Sequence, residues 1–352
     1  MFRPLPAVAA AFLFLPLPGR GAEIQPAPST TAAVFVAHDE RAIVQFEEDA
    51  ARTRGMVDEL VAAVTRQRDA TAGWRTLVQP ADRVGIKVAT AGGPYFSSHR
   101  GVVEAIVAGL TRAGVPRAHI VIWDRQSADL RAAGFTAEQT GVPVRGIDPP
   151  RGFDRGAKFT SAVLGKLIWG DLLFEEKKAR AGKRANDADQ LSSASHFATI
   201  LSRDITKIVN VPVLCDEVGC GVAGALYNVT VPAVDNWRRF TQPGGTGAIA
   251  ELYADERVGP KVVLHVLDGL LAQFAGGPGP NPNYAFHHAT LYASRDPVAL
   301  DATALRLIDA WRQQAKLPPT GKRAEWLELA AQMGLGQFDA ARIDLRPVAT
   351  PP

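Results

Sequence analysis

The stretch from Asp82 to Arg125 constrains this chain more than any other. DRVGIKVAT reads as a buried strand, AGGPYF as a Gly/Pro loop, SSHRGVVEAIVAGLTRAG as a helix and HIVIWDR as a second strand. Within the helix, Val102, Val103, Ile106, Val107 and Leu110 fall on one apolar stripe. Ser98 is placed to cap its start, and Gly114 with Pro116 to stop it. Strand, loop, helix and strand in so short a span imply a right-handed parallel crossover. The expected fold class is therefore α/β: a mostly parallel sheet flanked by helices, three layers deep, with irregular insertions.

Composition agrees with a folded chain. Of 352 residues 47% are hydrophobic and 21% charged, which excludes disorder and fibrous repeats. With 32 Gly and 25 Pro, loops should be plentiful. Residues 1–22 run from a basic start at Arg3, through apolar Leu5 to Leu17, to small residues before Glu23, the layout of a signal peptide. That stretch is too short and too proline-rich to anchor in a bilayer. The expectation is an exported protein, periplasmic or extracellular, with no stable membrane anchor. Setting aside Arg3 and Arg20 reduces the formal charge from +3 to +1. No Lys/Arg cluster with interleaved aromatics points to nucleic acid.

After the leader, residues 23–81 read as a lead-in followed by a helix. The Pro/Ala/Thr-rich part, 23–40, looks loose, while Val57, Leu60, Val61 and Val64 show helical spacing. Residues 82–352 read as one α/β domain. Asp204 to Leu214 is a strand ending at a Gly-rich turn, and Lys261 to Gly269 a buried strand. Residues 175–195 read as a solvated loop, His196 as a surface group and His287-His288 as a loop pair. Asp296 and Pro297 open a helix carrying Leu300, Ala304, Leu307 and Trp311.

Ligands of open parallel sheets bind beyond the carboxyl ends of the strands. The strand ends here deliver Lys87, Asp124, the group Cys215-Asp216-Glu217, and Asp268 to one edge. Asp301 lies on an apolar helix flank, where a carboxylate is costly unless paired or hydrogen-bonded. Asp216, Glu217, Asp268 and Asp301 are therefore the expected acid/base groups, with Asp216 and Asp268 candidates for a divalent metal. Lys87 and the loop at Gly92 and Gly93, just before a helix start, are expected to orient an anion. Asp124 and Asn228 complete the expected small-molecule site. Cys215 and Cys220 could oxidise to a local disulfide in an exported protein, and two thiols are too few for an iron–sulfur cluster. Neither a GxSxG elbow nor an HExxH helix is present.

Several segments together resemble the family called domain of unknown function 362. They are the opening DRVGIKVAT…IVIWDR, the central TKIVNVPVL…GVAGALYNVT with DNWRRF, and the closing VVLHVLDGL and YASRDPVALDA. The resemblance implies a parallel α/β fold and an enzymatic or redox role, often in exported proteins. Some relatives carry a ferredoxin-like domain, which this chain does not resemble. Where the family pattern has Lys, then Asp-His, and a second Lys before the Asn, this chain has Cys215, Asp216-Glu217 and Tyr227-Asn228. Asp216, Asn228, Asp268, Asp296 and Asp301 match. The expected function is an exported enzyme, an oxidoreductase or metal-dependent, acting on a small anionic or carbonyl substrate. The alternative is a non-catalytic ligand- or partner-binding protein.

Overall fold

The computed structural model describes residues 31–148, 152–181 and 190–350; the expected signal peptide lies outside them. Fourteen strands appear among the described residues. They are β1 (Ala32–His38), β2 (Ile43–Val44), β3 (Glu47–Glu48), β4 (Val84–Val88), β5 (Ile120–Asp124), β6 (Val144–Gly146) and β7 (Phe153–Lys166), then β8 (Leu191–Ala198), β9 (Lys207–Val211), β10 (Val213–Glu217), β11 (Gly221–Val222), β12 (Val262–Gln273), β13 (Ala285–Ser294) and β14 (Ile343–Pro347). The α-helices are α1 (Ala50–Thr65), α2 (Ala70–Leu77), α3 (Arg100–Ala113), α4 (Ser127–Ala132) and α5 (Ala137–Thr140), then α6 (Leu172–Ala181), α7 (Ala225–Thr230), α8 (Ala248–Ala254), α9 (Pro297–Gln314) and α10 (Trp326–Gln332).

Ten strands form one sheet in the order β14-β1-β13-β12-β9-β4-β5-β6, with β10 joined to β12 and β11 to β10. The run β12-β9-β4-β5-β6 is parallel, and β13 is antiparallel to both its neighbours. This is the expected α/β sheet. The expected crossover is present as β4, α3 and β5. Every residue of β4 is buried, which a strand covered on both faces requires. The stripe Val102, Val103, Ile106, Val107 and Leu110 is buried, each side chain contributing about 1.5–3 kcal/mol of hydrophobic stabilisation. Gly114 ends α3 at φ +110, a conformation that costs glycine little.

Helices α1, α2 and α3 pack among themselves, as do α7, α8, α9 and α10. Both α1 and α9 contact β1 and β13, so the two groups form the outer layers. The insertion β7–β8 is a separate antiparallel pair. Arg239 pins it, donating from Nη1 to Val163 O and Ser193 O and from Nη2 to Ser195 Oγ.

Several local expectations differ from the structure. The described part of the Pro/Ala/Thr-rich lead-in forms β1, an interior strand between β14 and β13. AAVFVAH is apolar enough to be buried, and the Pro-rich residues lie before it. Pro212 splits the expected strand 204–214 into β9 and β10, because it offers no ladder N–H. The next segment then moves across to pair with β12. Part of the expected loop 175–195 is helical or extended, in α6 and β8. His287 and His288 lie in β13, and Ser98 does not cap α3 but donates to Val211 O.

Candidate functional site

Chain order changes direction at the β4–β9 pair: β5 and β6 follow on one side, and β12 lies on the other. A crevice outside the carboxyl ends of the strands is expected at such a switch point. A cleft of about 190 Å³ lies there. Its walls come from the loop after β4 (Thr90, Gly92, Phe96), the end of β5 (Asp124, Arg125), β10 (Cys215), and α7 with the turns after it (Tyr227, Asn228, Trp237).

Under the cleft lies a fully enclosed lysine. Lys87 Nζ donates to Asp124 Oδ1 (2.7 Å), Val88 O (2.7 Å) and Asn228 Oδ1 (3.1 Å), which engages all three ammonium protons. Burial holds the Lys87 pKa below its ordinary value, against the opposing pull of Asp124. Asp124 Oδ2 accepts from Thr90 N and Thr90 Oγ1, so both carboxylate oxygens are engaged. The expected anion cation is thus a structural ion pair that presents no free N–H.

The polar floor continues sideways through the sheet. Lys87, Asn210 and His265 are register partners on β4, β9 and β12, so their side chains share one face. Asn228 Nδ2 donates to Asn210 Oδ1 (2.8 Å). Asn210 Nδ2 donates to Ala225 O (2.7 Å) and lies 3.0 Å from His265 Nδ1. His265 Nε2 lies 3.1 Å from the Tyr253 hydroxyl. Burial brings the His265 pKa down to about 3, so the ring is neutral. Nδ1 then accepts from Asn210, and Nε2–H points at Tyr253. Asn210 and His265 read as ordinary strand residues in sequence; only the register reveals the row.

The four expected acid/base carboxylates do not converge. Asp268 is not at a strand end: β12 continues to Gln273, and Asp268, three residues on from His265, points to the opposite face. There it accepts from His99 N (2.6 Å) and lies 2.9 Å from His99 Nδ1. Burial disfavours a charged His99, but Asp268 and Glu48 outweigh it and raise its pKa. Glu48 Oε2 also accepts from Gly101 N (2.8 Å). The helix start expected to receive an anion is therefore already capped by two of the protein's own carboxylates.

Asp301 is fully buried and accepts from Ala225 N (2.5 Å) and Leu226 N (3.0 Å) at the start of α7. Burial raises its pKa to about 7 despite those two N–H groups. Gly224 makes room for it, since a Cβ there would lie 2.0 Å from Asp301 Oδ1. Asp216 accepts from Gly277 N (2.9 Å), and Glu217 Oε2 holds Gly219 N and Cys220 N (both 2.6 Å). Each carboxylate is a local organiser with its own partners. Among the described residues no three His, Cys, Asp or Glu side chains are grouped to hold a metal ion, and the candidates Asp216 and Asp268 have separate partner sets.

Gly92 lines the cleft and must be glycine, since a Cβ there would lie 1.6 Å from Phe96 O. Gly93 turns the chain at φ +65. Both glycines shape the loop. The cysteines are free and buried, not disulfide-bonded. Cys215 lies within β10, its Sγ 3.6 Å from Gln273 Nε2, whereas Cys220 sits in the β10–β11 turn with its Sγ toward Val222 O. Burial, with Asp216 and Glu217 beside it, pushes the Cys215 thiol well above its usual range. His196 is buried rather than on the surface, held by Asp235 through both its backbone N and Nδ1.

The group the sequence reading passed over is Arg125, directly after β5. Nη1 donates to Pro232 O (3.0 Å) and Val234 O (2.8 Å), and the guanidinium lies over Phe153 (5.7 Å) and Trp237 (5.5 Å). Among the described residues Nε and Nη2 have no hydrogen-bond partner, and no carboxylate comes within ion-pair distance. Burial brings its pKa down to about 10, so it stays charged near neutral pH. The nearby carboxylates are engaged elsewhere: Asp171 by Ile168 N and Asn236 N, and Asp235 by Leu172 N and His196. Tyr227 was likewise missed; it lines the cleft, 7% exposed, and its hydroxyl has no hydrogen-bond partner among the described residues.

No curated protein matches the chain. A crystal structure of a Thermotoga maritima protein, a structural-genomics target, is similar over 70% of this chain at 11% identity and a TM-score of 0.38; the match spans 58% of that protein's length. Residues 173–306, from α6 into α9, match the model of the family described as Domain of unknown function (DUF362), the family that the central and closing segments resemble.

Proposed function

We propose that the protein binds a small organic anion in the cleft beyond β4 and β5. The observation that carries this reading is Arg125, a guanidinium in the cleft wall with two donor nitrogens unpartnered, and no ion pair, among the described residues. Such a fork suits a carboxylate, and its contact with Trp237 lets an apolar ligand body lie against the same wall. Two acids also line the cleft. Asp124 is neutralised by Lys87, and Asp129, half-buried, has its pKa raised by burial and by Asp124.

Binding is better supported than acid–base or metal chemistry, because Asp216, Glu217, Asp268 and Asp301 are held apart by separate partners. Calorimetric titration with benzoate and with neutral benzamide tests the reading. Benzoate binding more tightly supports it, and equal or absent binding of both ends it. Export remains part of the proposal, supported by the pattern of residues 1–22. Intact mass of periplasmic material should place the mature start near Glu23, and a retained Met1 would refute it.

A further inference from the structure

We propose that the ligand is a single-ring carboxylic acid bearing a hydroxyl or oxo group, with its acid on Arg125 and its second oxygen on the Tyr227 hydroxyl. This rests on the reading of Arg125 as the anion anchor. Three observations carry the added detail.

The first is size: a cavity of about 150 Å³ accepts one benzene, and this cleft of about 190 Å³ leaves room for one ring and small substituents. The second is the lining, where Phe96, Tyr227, Trp237, Pro232 and Pro278 offer flat apolar surface. The third is the pattern of vacant polar groups. On the floor, Lys87, both Asp124 oxygens, Thr90 and the Asn228 carbonyl oxygen are already hydrogen-bonded. The Tyr227 side chain is largely buried, but its hydroxyl oxygen is not enclosed, and it has no hydrogen-bond partner among the described residues. A cleft-lining hydroxyl free of protein partners can hydrogen-bond a ligand oxygen, a bond that a ligand lacking that oxygen forgoes. The phenol can donate to an oxo group and either donate to or accept from a hydroxyl.

The test titrates benzoate, 3-hydroxybenzoate and 4-hydroxybenzoate into the full chain and into Tyr227→Phe. Because that hydroxyl bonds none of the described residues, the variant should fold and melt like the parent. At least one hydroxybenzoate should bind about 3- to 10-fold more tightly than benzoate, and Tyr227→Phe should erase that advantage. If neither hydroxyl improves on benzoate, or Tyr227→Phe keeps the advantage, the Tyr227 assignment is wrong while the anion cleft stands. If none of the three acids binds the parent protein, the assignment falls together with the anion cleft itself.

Discussion

Lys87 and Asp124 form an enclosed ion pair, Nζ to Oδ1 2.7 Å, at the floor of the cleft. Replacing Lys87 by Met removes the cation and leaves the Asp124 charge buried, at a cost of about 3–5 kcal/mol. Chemical denaturation should show that loss, and adding Asp124→Asn should recover part of it. A single variant as stable as the parent would mean that Asp124 is solvated rather than enclosed.

Asp268 is expected to act on stability rather than on ligands. Its partner His99 has a raised pKa, so their attraction stabilises fully below the unfolded histidine value of about 6.5 and is lost as pH rises through the higher folded value. Asp268→Asn should therefore lower the melting temperature more at pH 5.5 than at pH 9. Equal losses at both pH values would show that His99 is uncharged in the fold.

For Asp301 the sign is opposite to that of a paired carboxylate. Its folded pKa is about 7, so between about pH 4 and 7 the folded state holds more protons than the unfolded chain. Its contribution to stability should fall as pH rises across that window and level off above it. The pH slope should be smaller in Asp301→Asn, although that variant loses about 1–3 kcal/mol overall by leaving one α7 N–H unpaired. An unchanged slope would place the titration elsewhere.

The thiols give a direct check on the fold. Cys215 and Cys220 are free and buried, so a bulky thiol reagent should find none in the native protein and both on unfolding without reductant. Finding no thiol after unfolding would establish the disulfide that the structure lacks.

The crossover from Asp82 to Arg125 was legible because its periods are unambiguous: a fully apolar strand around Lys87, a 3.6-residue stripe in α3, and a glycine stop. The cap at Asp296 was equally plain. The site was harder to read. Counting strand-end carboxylates placed Asp268 at an edge, because nothing in VVLHVLDG shows that the strand runs on to Gln273. The α3 N-terminus looked open because its two capping acids, Glu48 and Asp268, are remote in sequence. Arg125 was passed over as the residue after a strand. Its significance lies in lacking a carboxylate partner, a property of three-dimensional neighbours. The row Lys87–Asn210–His265 likewise exists only through register.

The central claim, that Arg125 anchors an anion, is tested most directly by calorimetric titration of benzoate into the parent protein and into Arg125→Gln, with melting curves confirming that the variant folds. The account predicts that the variant binds at least about 10-fold more weakly, the loss expected for a charge-assisted pair, and that benzamide binding does not change. Benzoate binding equally well to both proteins would contradict it.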